Sequence, residues 1–129
     1  MARKIFIMAS AATLVLKNNA DVNVNYAPIV VKTGEYAKYV DRTQGVLALQ
    51  PTAALAYSET AKERKVSGVV TFPTLNATTG VIETSYGRFD YTLVKTQSSN
   101  DRLDTRKRLA ALVSDAITTA AVDNGETPW

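Results

Sequence analysis

At 129 residues, with 46% hydrophobic and 21% charged side chains, the chain has the length of one domain and the composition of a folded protein, not of a disordered segment. Fifteen Lys and Arg against twelve Asp and Glu leave a net charge of +3, which permits a polyanionic partner without demanding one. There is no His and no Cys, which excludes disulfides, thiol nucleophiles, the usual zinc ligands and the commonest acid–base side chain near neutral pH.

The opening Ala2-Arg3-Lys4, Ile5-Phe6-Ile7-Met8 and Ala9-Ser10-Ala11 has the outline of a secretory signal. Its apolar run is too short for the roughly 7 to 15 residues of an h-region, so a strand is expected there. No segment approaches the ~20 apolar residues of a membrane span, and no membrane partner is expected.

Residues 14–19 followed by 21–26 have the form of a hairpin. Val22, Val24 and Tyr26 share one face and Asp21, Asn23 and Asn25 the other, with Asn18 and Asn19 supplying the turn. Pro28 limits pairing, residues 29–32 continue extended to Thr33-Gly34, and a third strand is expected over 35–40 with a turn at 41–45.

Between Val46 and Thr60 the apolar residues are dense and Pro51 interrupts them. Residues 53–59 read as a strand, although their alanines also suit a helix. A charged turn is expected at 61–65. Next, Val66, Gly68, Val70 and Phe72 alternate with Lys65, Ser67, Val69 and Thr71, and Pro73 ends the regular strand or marks a bulge. A small-residue loop from Asn76 to Gly80 leads into the longest extended stretch, 81–97.

In that stretch Phe89, Tyr91 and Leu93 line one face, and Tyr86, Arg88, Asp90 and Thr92 line the other. Core on one side and solvent on the other explains this pattern. A binding platform explains it too, because Tyr rings stack on bases and Arg pairs with phosphate.

Ser98, Ser99 and Asn100 are all suitable N-caps, and Asp101 and Asp104 complement the helix dipole. Leu109, Leu112, Val113, Ala116, Ile117, Ala120 and Ala121 then recur at helical spacing, until Asp123-Asn124-Gly125 stops the pattern. A break is expected near Ser114-Asp115. The basic run Arg102, Arg106, Lys107 and Arg108 reads as a solvated helix face, with Asp104 offsetting its neighbours.

About six strands with one apolar face are more than a helix of ~20 residues, ~30 Å long, can cover. A sheet folded on itself would meet the deficit. So would a two-fold dimer in which each helix lies across the partner's sheet and short edge strands pair across the interface.

This order of elements resembles the coat proteins of single-stranded RNA bacteriophages, the levivirus-like family, over essentially the full length and most clearly from residue 53 onward. The most specific residues are Arg64-Lys65 leading into Val70-Thr71-Phe72-Pro73, Tyr86 with Arg88, and Arg102 with Leu109-Ala110-Ala111-Leu112, joined by the ending Pro128-Trp129.

The resemblance implies an α+β fold, a single coat protein domain over residues 1–129. An N-terminal β-hairpin and antiparallel meander sheet are followed by C-terminal helices that pack across a dimer partner. It implies homodimers that assemble into an icosahedral shell around a single-stranded RNA genome in the bacterial host cytoplasm, with no cofactor and no metal. By it, Lys65, Ser67, Val69, Thr71, Tyr86, Arg88 and Asp90 lie on the RNA side, joined by Tyr57. Leu109, Leu112, Val113, Ala116 and Ile117 form the dimer interface, and residues 76–85 meet neighbours at symmetry axes, where small residues allow more than one conformation.

Two departures bear on RNA recognition. Val69 stands where relatives commonly carry a basic residue that helps recognise an operator hairpin, and the adjacent strand offers Ala53 and Leu55 where polar groups would serve. Sequence-specific repression is therefore less supported than packaging by phosphate neutralisation. A stand-alone dimeric RNA-binding module that forms no shell would use the same face. Glu59, Glu63, Glu83 and Asp90 have no spacing that argues for a catalytic pair, so an enzyme is not expected.

Overall fold

The computed structural model describes residues 13–126; the expected strand at residues 5–8 and the tail at Pro128 and Trp129 lie outside the described residues. Six strands run in chain order through one antiparallel sheet: β1 Leu14–Lys17, β2 Asn23–Lys32, β3 Tyr36–Val40, β4 Thr52–Glu59, β5 Glu63–Leu75 and β6 Ile82–Val94. Two helices follow, α1 Ser99–Ser114 and α2 Ala116–Asn124. Each strand pairs with its sequence neighbour, so among the described residues the sheet is a meander whose free edges are the short β1 and the thirteen-residue β6. It is the long β6, rather than a short edge strand, that offers an extended ladder of unpaired backbone groups.

The first hairpin forms as expected, with Leu14 opposite Tyr26 and Leu16 opposite Val24. Its turn differs in chemistry. Asn18 supplies a side-chain acceptor, taking the backbone N–H of Ala20 at 2.9 Å and Val22 at 3.1 Å, while Asp21 takes the left-handed conformation with φ 59°. Pro28 marks a register shift in the β2–β3 ladder, consistent with its missing N–H.

The strand expected over residues 53–59 forms, with β4 paired on both sides. Three further expectations are corrected. The charged turn contracts to residues 60–62, because Thr60 closes it by donating its N–H to the Glu63 carbonyl at 2.8 Å and accepting the Glu63 N–H on its hydroxyl at 3.0 Å; Glu63, Arg64 and Lys65 then enter β5. Pro73 neither ends nor bulges the strand, since pairing with β6 continues unshifted to Leu75 opposite Ile82. Pro73 lies beyond Thr71, the last β5 residue paired with β4, so its missing donor falls where the strand has a neighbour on one side only.

The third correction concerns the loop that the resemblance places at 76–85 and the residue pattern alone at 76–80. It spans only residues 76–81 and is closed by one residue: Asn76 accepts from the N–H groups of Thr78 (3.0 Å) and Thr79 (3.3 Å) and donates to the Glu83 carboxylate at 3.2 Å. Gly80 completes the turn at φ 72°, donating its N–H to the Asn76 carbonyl at 2.7 Å.

The core is small. Tyr26, Tyr39 and Ala53 are buried and Leu14, Leu16, Val24, Ala37 and Leu55 pack against them, so the hairpin end of the sheet is covered by β1 and β2. Among the described residues no large side chain is completely buried, and many apolar ones, Phe72, Leu112 and Ile117 among them, meet water in a single copy.

Candidate nucleic-acid interface and assembly surfaces

The ladders assign every β4, β5 and β6 side chain to one of two faces. Ser67 stands opposite Asp90, Val69 opposite Arg88 and Thr71 opposite Tyr86, with Lys65 opposite Thr92, so all seven of these candidate RNA-side residues on β5 and β6 share a face. The opposite face carries Val66, Gly68, Val70 and Phe72 with Tyr91, Phe89, Gly87 and Ser85, and this is the face that α1 approaches.

Tyr57 does not join the candidate RNA side. It pairs with Val66, which puts its ring on the helix-side face, where its hydroxyl donates to Glu59. The same one-residue alternation corrects Ala53 and Leu55, which also lie on the helix side; the β4 residues beside Ser67 and Val69 are Ala56 and Ala54. Both are as unable to hydrogen-bond a base as the residues first considered.

Continuing the register across β3 adds two residues the sequence reading missed. Tyr36 pairs with Ala56 and Lys38 with Ala54, so both stand on the candidate RNA face, across an alanine floor from Arg88 and Asp90. Tyr36, Lys38, Ala54, Ala56, Ser67, Val69, Arg88 and Asp90 line an open groove there. The alternation Tyr36, Lys38, Val40 was visible in the sequence. What was missing was the register that places β3 two strands from β5.

Tyr86 is 67% exposed, and Lys38, Lys65 and Arg88 take part in none of the ion pairs among the described residues. Exposed aromatic rings and unpaired cations suit stacking and phosphate contact; one carboxylate, Asp90, interrupts the positive field. Of the β4 and β5 side chains lining the groove on this face, Ala54, Ala56 and Val69 offer a base edge nothing and Ser67 a hydroxyl, with Tyr36, Lys38, Arg88 and Asp90 as the polar groups to either side.

On the other face, the joint between β6 and α1 is tied at several points. Ser98 caps α1 by accepting the Asp101 N–H at 3.1 Å. The Arg102 guanidinium donates to the carbonyls of Lys95 (3.3 Å) and Gln97, and the Tyr91 hydroxyl donates to the Arg106 carbonyl at 3.4 Å. Beside the joint, Glu59 accepts from the Tyr57 hydroxyl, from Lys95 Nζ at 3.2 Å and from Arg64 Nε at 3.4 Å. The Tyr57 hydrogen bond, followed by that of Lys95, lowers the Glu59 pKa below the ordinary glutamate value, while burial first and then the Glu59 partner raise that of Tyr57.

Past this joint the helices leave the sheet of their own chain. The break falls at Asp115, which ends α1 and caps α2 by accepting the Ile117 N–H at 2.9 Å, and Gly125 terminates α2 at φ 69°. Leu109 is half-buried. Leu112 (61%) and Ile117 (57%) are largely exposed, as are Val113 and Ala116. The helix-side sheet face is likewise open at Val70 and at Phe72, which is 54% exposed.

Among the described residues no helix is long and apolar enough to cross a membrane. No curated protein sequence matches the chain. Solved structures do. The virus-like particle of bacteriophage AVE019 aligns with a TM-score of 0.78 at 19% identity, covering 92% of this chain and 97% of that one. The virus-like particle of bacteriophage ESE058 gives 0.79 at 16%, covering 92% and 99%. A structure described as an unassembled virus coat protein dimer, a bacteriophage RNA-binding dimer, gives 0.69 at 17%, covering 93% and 98%. These likenesses establish the six-stranded sheet followed by two helices as the coat protein fold. The model of the levivirus coat protein family matches residues 9–129, and the chain belongs to that family of structural, non-catalytic viral coat proteins.

Proposed function

We propose that this coat protein forms a homodimer through α1, α2 and the β6 edge, that the dimers close into an icosahedral shell in the bacterial host cytoplasm, and that the sheet face bearing Lys65, Tyr86 and Arg88 meets single-stranded RNA inside it. One observation carries the reading. The exposed aliphatic stripe Leu112, Val113 and Ile117 and the open sheet face at Val70 and Phe72 are two apolar surfaces that a single copy leaves apart.

A two-fold partner offers the complement of each at once, and pairing two β6 edges would continue the sheet across the axis. Full burial of a Val, Leu, Ile or Phe side chain stabilises by about 1.5–3 kcal/mol, and two-fold symmetry counts each of the five residues twice, a gain that works against the cost of association.

On the RNA face, Lys38, Lys65 and Arg88 neutralise phosphates and Tyr36 and Tyr86 offer rings for stacking; Ser67, Val69, Thr71 and Asp90 line the surface between them. With Ala54, Ala56 and Val69 in the groove, base edges find few partners, so binding follows phosphate density more than sequence. Support also comes from relatives of the same fold described as virus-like particles and as an RNA-binding dimer.

Expression followed by negative-stain microscopy, sizing with light scattering and nucleic-acid extraction tests the reading. Closed particles containing RNA are expected. Free dimers alone, in the presence of RNA, would reduce the protein to a binding module, and monomers would refute the interface.

A further inference from the structure

Strands β3 and β4 are adjacent and antiparallel, so a two-residue turn could join them. The chain instead spends residues 41–51 on the connection, and it is an ordered one. Asp41 accepts the Thr43 N–H at 3.0 Å on its carboxylate and donates its own N–H to the Pro51 carbonyl at 2.9 Å. A short 3-10 turn, Leu47–Leu49, is closed by the Leu49 N–H on the Val46 carbonyl at 3.0 Å and by the Gln50 N–H on the Leu47 carbonyl at 3.2 Å. Gln50 Nε2 donates to the Gln44 carbonyl at 3.0 Å across its base.

Leu49 faces back toward Phe72 and Leu75, with which it lines a groove at the end of β5. Val46 and Leu47 do not line it and are exposed, Leu47 to 79%. An ordered loop that holds two adjacent aliphatic side chains out in water is a preorganised contact lacking its partner.

The two partners already assigned do not fit it. RNA is a poor match in charge, since Arg42 is the one basic side chain of the connection, residues 43–58 carry no charge, and no Lys or Arg occurs between Lys65 and Arg88. The dimer contact uses α1, α2, the β6 edge and the helix-side sheet face. At the same end of the sheet Leu75 and Ile82 are exposed and paired on the face opposite Phe72. A closed shell needs contacts between dimers as well as within them, and besides the 76–81 loop the ordered Val46–Leu47 turn offers an apolar surface for one.

We infer that the Val46–Leu47 turn is a dimer-to-dimer contact, its occupant a second copy of this chain in the assembled shell. The inference rests on the shell reading and adds to it a contact separate from the dimer interface.

Because the chain has no Cys, Leu47→Cys introduces a single thiol. Its maleimide labelling in assembled particles is expected to be at least about tenfold slower than in free dimers, and equal rates would overturn the inference. Leu47→Glu is expected to give dimers of unchanged mass and unchanged far-UV circular dichroism, with particle yield down about tenfold or more. Particles at the unmodified yield would overturn the inference, and so would loss of the dimer, which would make the turn part of that interface. If the unmodified chain makes dimers but no particles, the shell reading itself fails, a result seen before any variant is made.

Discussion

Gly68 and Phe89 are directly paired across β5 and β6, and the Phe89 ring lies over the glycine. A Cβ built on Gly68 would sit 2.2 Å from Phe89 Cε2 and 2.8 Å from Cζ, far inside van der Waals contact. Gly68→Ala therefore forces the ring aside by more than an ångström, where it also loses its edge-on packing with Tyr91, whose ring centroid is 5.4 Å away. Overpacking of this kind costs about 1–3 kcal/mol, and the aromatic pair about 0.5–1.5 more. Replacing a strand glycine returns roughly 0.5–1 kcal/mol of backbone entropy.

The net expectation is a loss of about 2 kcal/mol, or a fall in Tm of several degrees for a chain of this size. Thermal unfolding followed by circular dichroism at fixed protein concentration measures it, the concentration being held because dimerisation contributes to apparent stability. The reasoning also makes a double-variant claim: Gly68→Ala should cost much less in a Phe89→Leu background, where the ring is gone. A Gly68→Ala chain that melts at or above the parent temperature, or that costs the same in both backgrounds, would refute the close-approach argument.

Three further outcomes follow from the same geometry. Lys65→Gln with Arg88→Gln should flatten the dependence of RNA binding on salt, lowering the log–log slope by about 0.7 per charge removed from single-stranded RNA, in a filter-binding or fluorescence titration. Glu59 has its pKa lowered, first by the Tyr57 hydroxyl, so its contribution to stability is present above the ordinary glutamate value and is lost as pH falls through the lowered one; Glu59→Gln should make denaturation midpoints less sensitive to acid in that window. Asn76→Ala removes three hydrogen bonds from the tip of the β5–β6 hairpin and should speed amide exchange at Thr78, Thr79 and Gly80 with little effect on β5 near Gly68.

The strand order and the helix pair were legible because β5, β6 and the first hairpin alternate strongly, and because Ser98, Asp115 and Gly125 punctuate the helices chemically. The shortage of helix over the sheet was legible too, from lengths alone. The face of β4 was not. Its sequence, Thr-Ala-Ala-Leu-Ala-Tyr-Ser-Glu, is small and apolar on both sides, so nothing local says which set faces α1, and Tyr57, Ala53 and Leu55 were put on the wrong side of the sheet. Only the pairing of Tyr57 with Val66, a contact set by the whole ladder, settles it. Tyr36 and Lys38 escaped notice for the same reason: a groove wall built from β3 and β6 has no signature within either strand. The tip at Asn76 looked loose because its residues are small, whereas one asparagine side chain organises it.

In β6, Arg88 and Phe89 are consecutive residues with opposite obligations, the first toward the open groove and the second over Gly68 on the face that α1 approaches. On the proposed RNA reading, cargo and container are written in alternate letters of the same strand. Selection acting on the even positions can retune which nucleic acid is enclosed, and how tightly, without disturbing the odd positions on which the fold depends. The same separation is open to design: the side chains at 86, 88 and 90 form a lining that can be exchanged for other charges or shapes, turning a genome container into a vessel for a different polymer while its walls stay as they are.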